Sequence, residues 1–350
     1  MTTPVARWWN ATNNDRVRCY LCPRECRMRE GQRGFCFVRM NRRGELVLDT
    51  YGRSSGFAID PVEKKPLNHV LPGAKVLSFG TAGCNLGCKF CQNWEMSTSR
   101  EFDSLATEAS PTQIAELALN YGCQAVAFTY NDPIIFAEYA IDTAVACREV
   151  GLLPIAVSAG YISDAARAEF FAPMDAANID LKAFTDEFYR KITGARLSTV
   201  LDTLVHVRES ETWLEITTLL IPGHNDSDEE IEQMSRWIVA NLGPDVPHHF
   251  SAFHPDHRMR DVPPTPPQTL ARARDIAMGC GEQFVYTGNV YDPAGQSTLC
   301  PSCGAVVIAR DRYRVSVRQL KVDEGMATCS RCAHAIPGVF SWPRSVSSKA

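Results

Sequence analysis

Fourteen cysteines in 350 residues are the feature that most constrains this chain. Eleven fall into three tight groups: Cys19, Cys22, Cys26 and Cys36; Cys84, Cys88 and Cys91; Cys300, Cys303, Cys329 and Cys332. A chain this long can build a core without disulfides, and thiols grouped in this way in a reducing compartment are more often metal ligands. Cys123, Cys147 and Cys280 stand among apolar residues and read as small buried hydrophobes. With 45% hydrophobic and 22% charged residues, the composition excludes a disordered or collagenous protein. No apolar run reaches the ~18 residues of a membrane-spanning helix. Residues 1–10, with Arg7, Trp8 and Trp9, lack the apolar core of a signal peptide. The expectation is a cytoplasmic protein with no membrane partner.

Charge is uneven along the chain. Residues 15–45 hold nine arginines against four acids, and residues 300–350 eight bases against three acids, so the middle is acidic under a net charge of -4. A basic end can bind nucleic acid. Four thiolates around a dication, however, leave a net negative site that neighbouring arginines offset, and a nucleic-acid partner is not expected.

Between the outer cysteine groups, strand and helix signals alternate. Strands are expected over 74–80 (AKVLSFG), 125–130, 153–158, 177–181, 214–221, 249–254 and 283–290. Helices are expected between them, one opened by Ser110 as N-cap and Pro111 at the first helical position and stopped at Gly122. Seven strands joined by right-handed crossovers predict an α/β fold, a parallel sheet curling into a TIM-type or partial barrel, with a flat doubly wound sheet as the alternative. The expected domains are a four-cysteine metal module and lead-in over 1–73, the barrel over 74–293 and a zinc-ribbon-like module over 294–350.

Cys84-Asn-Leu-Gly-Cys88-Lys-Phe-Cys91 lies just past the first of these strands, on the side where a barrel carries its chemistry. Three thiolates are an odd number for a structural zinc site, which closes with four. On a [4Fe–4S] cubane they leave one iron open to a small molecule, unless a distant fourth ligand closes it.

This C-x3-C-x2-C motif, with Phe90 before its third cysteine, resembles the radical S-adenosylmethionine (SAM) superfamily. Further stretches resemble the enzymes related to pyruvate formate-lyase activating enzyme, and among them the AmmeMemoRadiSam system group: residues 19–39, 60–69 (DPVEKKPLNH), 129–136 (TYNDPIIF), 180–184 (DLKAF), 218–226 (TLLIPGHND), 253–259 (FHPDHRM) and 286–290 (YTGNV). The resemblance implies a cluster on Cys84, Cys88 and Cys91 that reductively cleaves SAM to a 5′-deoxyadenosyl radical, which abstracts hydrogen from a substrate. It implies Phe90 near the adenine, and Tyr130, Asn131 and Asp132 in the region that contacts the SAM amino group. Ser158 and Gly160 fall where activating enzymes carry Asp-Thr-Asn-Gly, but Val157 and Ala159 replace the Asp and Asn, which puts a monovalent-cation site in doubt. Asp180 and Lys182 alternate onto one strand face, and a buried pair of opposite charge there favours a functional role. Ile221 is implied as an adenine or SAM-side contact, a plain turn being the equal alternative. Among His248, His249, His254 and His257, His254 is the candidate proton donor. Lys64-Lys65 reads as a solvated basic face, and for the stretch that includes His69 the resemblance offers a substrate or partner contact as the alternative.

Cys300, Cys303, Cys329 and Cys332 form two C-x2-C knuckles around two expected strands, the pattern of a zinc ribbon holding structural Zn2+, with a rubredoxin-type iron as alternative. Cys19, Cys22, Cys26 and Cys36 could close on Zn2+ or hold an auxiliary Fe–S cluster, zinc being slightly favoured. Expected partners are a low-potential electron donor of flavodoxin or ferredoxin type and a protein, peptide or small-molecule substrate. The resemblance adds Memo-like and AMMECR-like proteins. The competing reading is a non-catalytic iron–sulfur and zinc protein, an electron carrier or a binding module.

Overall fold

The structure, a computed structural model, describes residues 4–13, 15–100 and 107–342. Residues 1–3 of the amino-terminal stretch, and Arg344 and Lys349 of the basic carboxy-terminal stretch, lie outside the described residues. One eight-stranded sheet organises the chain. Its strands in chain order are β1 (Phe57–Pro61), β2 (Lys75–Phe79), β3 (Ala125–Phe128), β4 (Leu153–Ser158), β5 (Ala176–Asp180), β6 (Trp213–Leu220), β7 (His248–Ala252) and β8 (Val285–Gly288).

Spatial order follows chain order, from β8 at one edge to β1 at the other. The seven strands from β2 to β8 are parallel, whereas β1 pairs antiparallel with β2, Phe57 opposite Phe79. A doubly wound sheet needs a reversal of strand order, and there is none. Right-handed crossovers without a reversal place the connecting helices on one face, so the sheet is singly wound. Among the described residues β8 and β1 are not paired with each other, and the full closure of a TIM-type barrel is therefore not formed. Sequence reasoning also missed β1. It falls in the 1–73 segment assigned to the lead-in, yet it belongs to the main sheet.

The longer helices are α1 (Pro111–Asn120), α2 (Ala137–Glu149), α3 (Asp164–Phe171), α4 (Leu197–Glu209), α5 (Asp228–Leu242) and α6 (Pro267–Gly279). Ser110 caps α1 as expected, accepting from the Gln113 amide while the Gln113 side chain accepts from the Ser110 amide. The helices bury one face of the sheet, where Phe79, Phe128 and Ile179 pack with Tyr139, Phe170 and Leu204. Each such side chain is fully buried, worth about 1.5–3 kcal/mol.

The opposite face changes character along the strands. At their amino-terminal ends Val76, Ala125, Leu153 and Ala176 meet Val62, Leu67, Val70 and Leu71 of the segment between β1 and β2. That segment crosses the sheet as a plug, fixed by Glu215 of β6. The Glu215 carboxylate accepts from the amides of Asn68 (2.9 Å) and His69 (2.8 Å), from Trp213 Nε1 (3.1 Å) and from His249 Nε2 (2.7 Å). Two of the clustered histidines are thereby structural: His249 through Glu215, and His248 through Glu282 and Thr218. Towards the carboxy-terminal ends the same face turns polar, with Asn178 and Asp180 of β5 in register with Glu215 and Thr217 of β6.

The carboxy-terminal module docks on the plug. Arg310, 3% exposed, donates to the Asn68 carbonyl and to Thr298 Oγ1 (2.8 Å) and pairs with Glu63. Its expected strands are present as Val306–Asp311 and Arg314–Val317, and a second hairpin, Leu320–Asp323 with Met326–Cys329, carries Cys329.

Burial holds the His69 imidazole neutral, its pKa pushed down to about 4. The unfolded chain therefore binds the extra proton between its ordinary value near 6.5 and about 4. Stability is fully present above that window and falls as pH drops through it. Urea unfolding at pH 7 and pH 5 should show the loss, and a flat profile would contradict the assignment. Replacing Glu215 by Ala, which strands four donors, should cost about 3–5 kcal/mol.

Candidate functional site

The loop after β2 carries Cys84, Cys88 and Cys91, and its backbone is pinned to β3. Gly80 lies so close to Thr129 and Asn131 that a Cβ there would overlap both. Gly83, at φ +83°, packs against the Cys36 carbonyl with no room for a Cβ. Asn131, 5% exposed, closes the arrangement. Its Nδ2 donates to the Gly83 carbonyl (2.8 Å) and its Oδ1 accepts from the Thr81 amide (3.2 Å). Asn131 is thus a positioning residue for the cysteine loop. Tyr130, in the left-handed region at φ 72°, turns its hydroxyl to Asp60 (3.1 Å) and its carbonyl to Asn93.

Asp132 is buried at the end of β3. It accepts from the Ile134 amide, from Ser158 Oγ (2.9 Å) and from the Ala159 amide (3.2 Å), and Ser158 Oγ in turn accepts from the Gly160 amide (3.0 Å). Burial lifts the Asp132 carboxyl to a pKa of about 6, against the pull of these hydrogen bonds. Its charge also bears on Cys84.

Asp180 and Lys182 form an ion pair at the end of β5 (2.8 Å). Lys182 Nζ lies 5.7 Å from the centre of the Phe90 ring, and Phe90 is buried against Phe188. Burial works against the Lys182 charge, but Asp180 and Cys88 outweigh it and hold the proton firmly. Burial likewise pushes the Cys88 thiol up to about 12, with Lys182 opposing. An ammonium so placed favours the thiolate over the thiol. Sequence reasoning assigned no role to Asn225, which holds the turn at Ile221: its Oδ1 accepts from the Ile221 amide (2.7 Å) and its Nδ2 donates to the Lys182 carbonyl (2.7 Å). The only signal was its place in TLLIPGHND. Ile221 itself is buried.

The loop after β7 closes over the cysteine loop. His254, exposed, meets Gln92 through Nδ1 (2.8 Å), Trp94 Nε1 donates to Asp256 (3.0 Å), and Trp94 stacks on His257. Cys84, Cys88 and Cys91 line a cleft of about 650 Å³ with Cys36, Phe37 and Arg258. Lys64 and Lys65 both pair with Asp60, and Lys65 is 3% exposed, so a solvated face does not describe it.

At the other end, Cys300 and Cys332 Sγ lie 3.5 Å apart and Cys303 and Cys329 3.7 Å, all four within 4.8 Å of one another. This group could hold a metal ion. Cys123 and Cys147 are buried and Cys280 half-buried.

Three thiols on a loop at the carboxy-terminal strand ends, above an ion pair and a buried carboxyl, agree with what the chain matches. Residues 79–238 match the radical SAM superfamily. An uncharacterised protein of Methanocaldococcus jannaschii is 38% identical over 331 residues, covering 95% of this chain and 98% of that protein. The chain carries a radical SAM domain. It is also homologous to glycyl-radical activating enzymes. The pyruvate formate-lyase 1-activating enzyme of Escherichia coli is 19% identical over 61% of this chain and 93% of its own length. The pyruvate formate-lyase-activating enzyme of Clostridium pasteurianum is 24% identical over 55% of this chain and 84% of its own. Streptococcus suis SuiB bound to its precursor peptide SuiA shares the fold, with a TM-score of 0.50 at 14% identity over 66% of this chain and 52% of that one.

Gly83→Ala should disturb the Cys36 contact as well as the backbone, costing about 3 kcal/mol or more. Gly122→Ala, also at positive φ but in open space, should cost only about 1 kcal/mol. Equal losses in urea unfolding would contradict the close approach of the two loops.

Proposed function

We propose that this chain is a radical SAM enzyme acting on a protein or peptide, with Cys84, Cys88 and Cys91 as ligands of a [4Fe–4S] cluster and SAM on its open iron. The observation that carries this is the convergence of three thiols on one cleft at the strand ends. The donor set suits the group, because soft thiolates select iron–sulfur clusters. Cys36 lines the same cleft and also borders the cavity of Cys19, Cys22 and Cys26. When bound, the cluster and SAM supply a one-electron cleavage that yields a hydrogen-abstracting radical.

The chain's own residues do the rest. Lys182 offsets the negative charge of the thiolates, and Asp180 fixes Lys182. Asp132 ties β3 to β4 through Ser158 and presents a carboxyl to the cysteine side, where an ammonium group of SAM would find a partner. Thr217 Oγ1 and Asn178 Oδ1 are buried on the polar half of the sheet without a hydrogen-bond partner, and such groups call for a ligand or water. Phe90 and Ile221 give apolar walls that exclude water from a reactive site. His254, exposed and bonded to Gln92 of the cysteine loop, would exchange a proton with substrate. A low-potential donor of flavodoxin or ferredoxin type supplies the electron. Memo-like and AMMECR-like proteins are the partners suggested by resemblance, and the cytoplasm is the proposed compartment.

The anaerobically reconstituted chain with dithionite and SAM should release 5′-deoxyadenosine, and Cys88→Ala should abolish it. Release by neither protein would favour the electron-carrier reading. Lys182→Met should lower the rate by about 10²-fold or more, in line with the loss of one electrostatic group in a dry site.

For the carboxy-terminal group we propose zinc. A Zn–S bond of about 2.3 Å sets tetrahedral sulfurs about 3.8 Å apart, close to the 3.5 and 3.7 Å observed. Metal analysis should find one zinc per chain that is lost in Cys300→Ser, with the module destabilised. Iron without zinc there would contradict it.

A further inference from the structure

The amino-terminal cysteines differ in arrangement from the carboxy-terminal ones. Cys19, Cys22, Cys26 and Cys36 line one small cavity of about 20 Å³, bounded by Met28, Gly34, Arg39 and Ile135. All four thiols border this one space, and the charges of the other three bear on Cys22. Yet among the described residues the carboxy-terminal four are the only group of three or more metal-ligating side chains whose donor atoms lie within 4.8 Å of one another. A single tetrahedral ion needs that spacing. No three of the amino-terminal sulfurs come that close to one another, as is expected when each binds a different corner of a polynuclear cluster.

The surroundings fit a buried anionic cluster. Backbone amides of Leu21, Arg24, Val38 and Arg39 point at the sulfurs of Cys19, Cys22 and Cys36, and the Phe35 amide donates to Cys26 Sγ (3.4 Å). Hydrogen bonds of this kind stabilise thiolates and tune cluster potential. Arg39, 1% exposed, lies beside Cys19 and Cys36 and is itself paired with Glu138. Net charge does not separate the two metals, since four thiolates leave the same excess around Zn2+ as around an oxidised [4Fe–4S] core. The spacing of the sulfurs around the cavity separates them.

We infer that Cys19, Cys22, Cys26 and Cys36 hold a second [4Fe–4S] cluster, an electron relay that adjoins the cysteine loop. Four thiolates close all its iron corners, so it exchanges electrons and binds no substrate. Cys36 borders both this cavity and the cleft of Cys84, Cys88 and Cys91, and its carbonyl touches Gly83. Asn85, the neighbour of Cys84, lines the cavity, and Arg24 donates to its carbonyl. One electron enters from a low-potential one-electron donor protein and passes towards the loop, with no bond formed or broken. The outer surface of the module, with Arg16, Arg27, Arg29, Arg42 and Arg43 exposed, suits an acidic donor.

The test is iron, sulfide and zinc analysis with EPR on the full chain after anaerobic reconstitution. Wild type should hold about eight irons and about eight sulfides, and Cys84→Ala/Cys88→Ala/Cys91→Ala about four of each. The signal left in that variant should be indifferent to SAM, and in reduced wild type the two clusters should broaden each other's signals. A triple variant with no sulfide and a second zinc per chain would overturn the cluster. Two clusters without magnetic interaction would overturn the relay. Because the triple variant lacks the SAM-binding cysteines, its result does not depend on whether the catalytic reading holds.

Discussion

The close approach of the cysteine loop to its supports is the constraint on which the rest of the site depends. Gly80 and Gly83 let the backbone after β2 lie against β3 and against Cys36, and the Asn131 side chain bonds across the gap. Without that approach three thiols would sit on an unsupported loop. With it they face one cleft, above the polar half of a sheet whose other half is dry and plugged. The division follows from the strands themselves: small and aliphatic residues early in β2 to β5, then Asn178, Asp180 and Thr217 further along.

Charge is arranged to the same end. Thiolates are anionic, and the cations beside the thiols are already paired: half-buried Lys182 with Asp180 by Cys88, and buried Arg39 with Glu138 by Cys19 and Cys36. Pairing lowers the cost of burying each cation. It also holds the ammonium or guanidinium in one place, which a preorganised electrostatic site requires.

Much of this was legible in the sequence because it depends on local pattern. The C-x3-C-x2-C spacing located the loop, periodicity located the seven parallel strands, and Ser110-Pro111 located the start of α1. What was not legible depends on partners distant in the chain. Residues 57–61 join the sheet by pairing with β2, a register that no short motif announces. Asn225 acts on Lys182 and Ile221 across turns. Glu215 gathers donors from the plug and from β7. Lys65 reads as surface from its neighbours, but Asp60 draws it inside. The amino-terminal cysteine spacing left zinc and iron–sulfur open, and the cluster we infer there rests on how the sulfurs are set around one cavity.

The central claim is that the loop's three thiolates leave one iron able to chelate a sulfonium amino acid. Electron–nuclear double resonance on the reduced protein with SAM labelled in its amino nitrogen and carboxylate oxygen measures that contact directly. Hyperfine coupling from both labels to the cluster, absent in Cys84→Ala, is the result the structure leads us to expect. A wild-type cluster that shows no coupling to either label would contradict it.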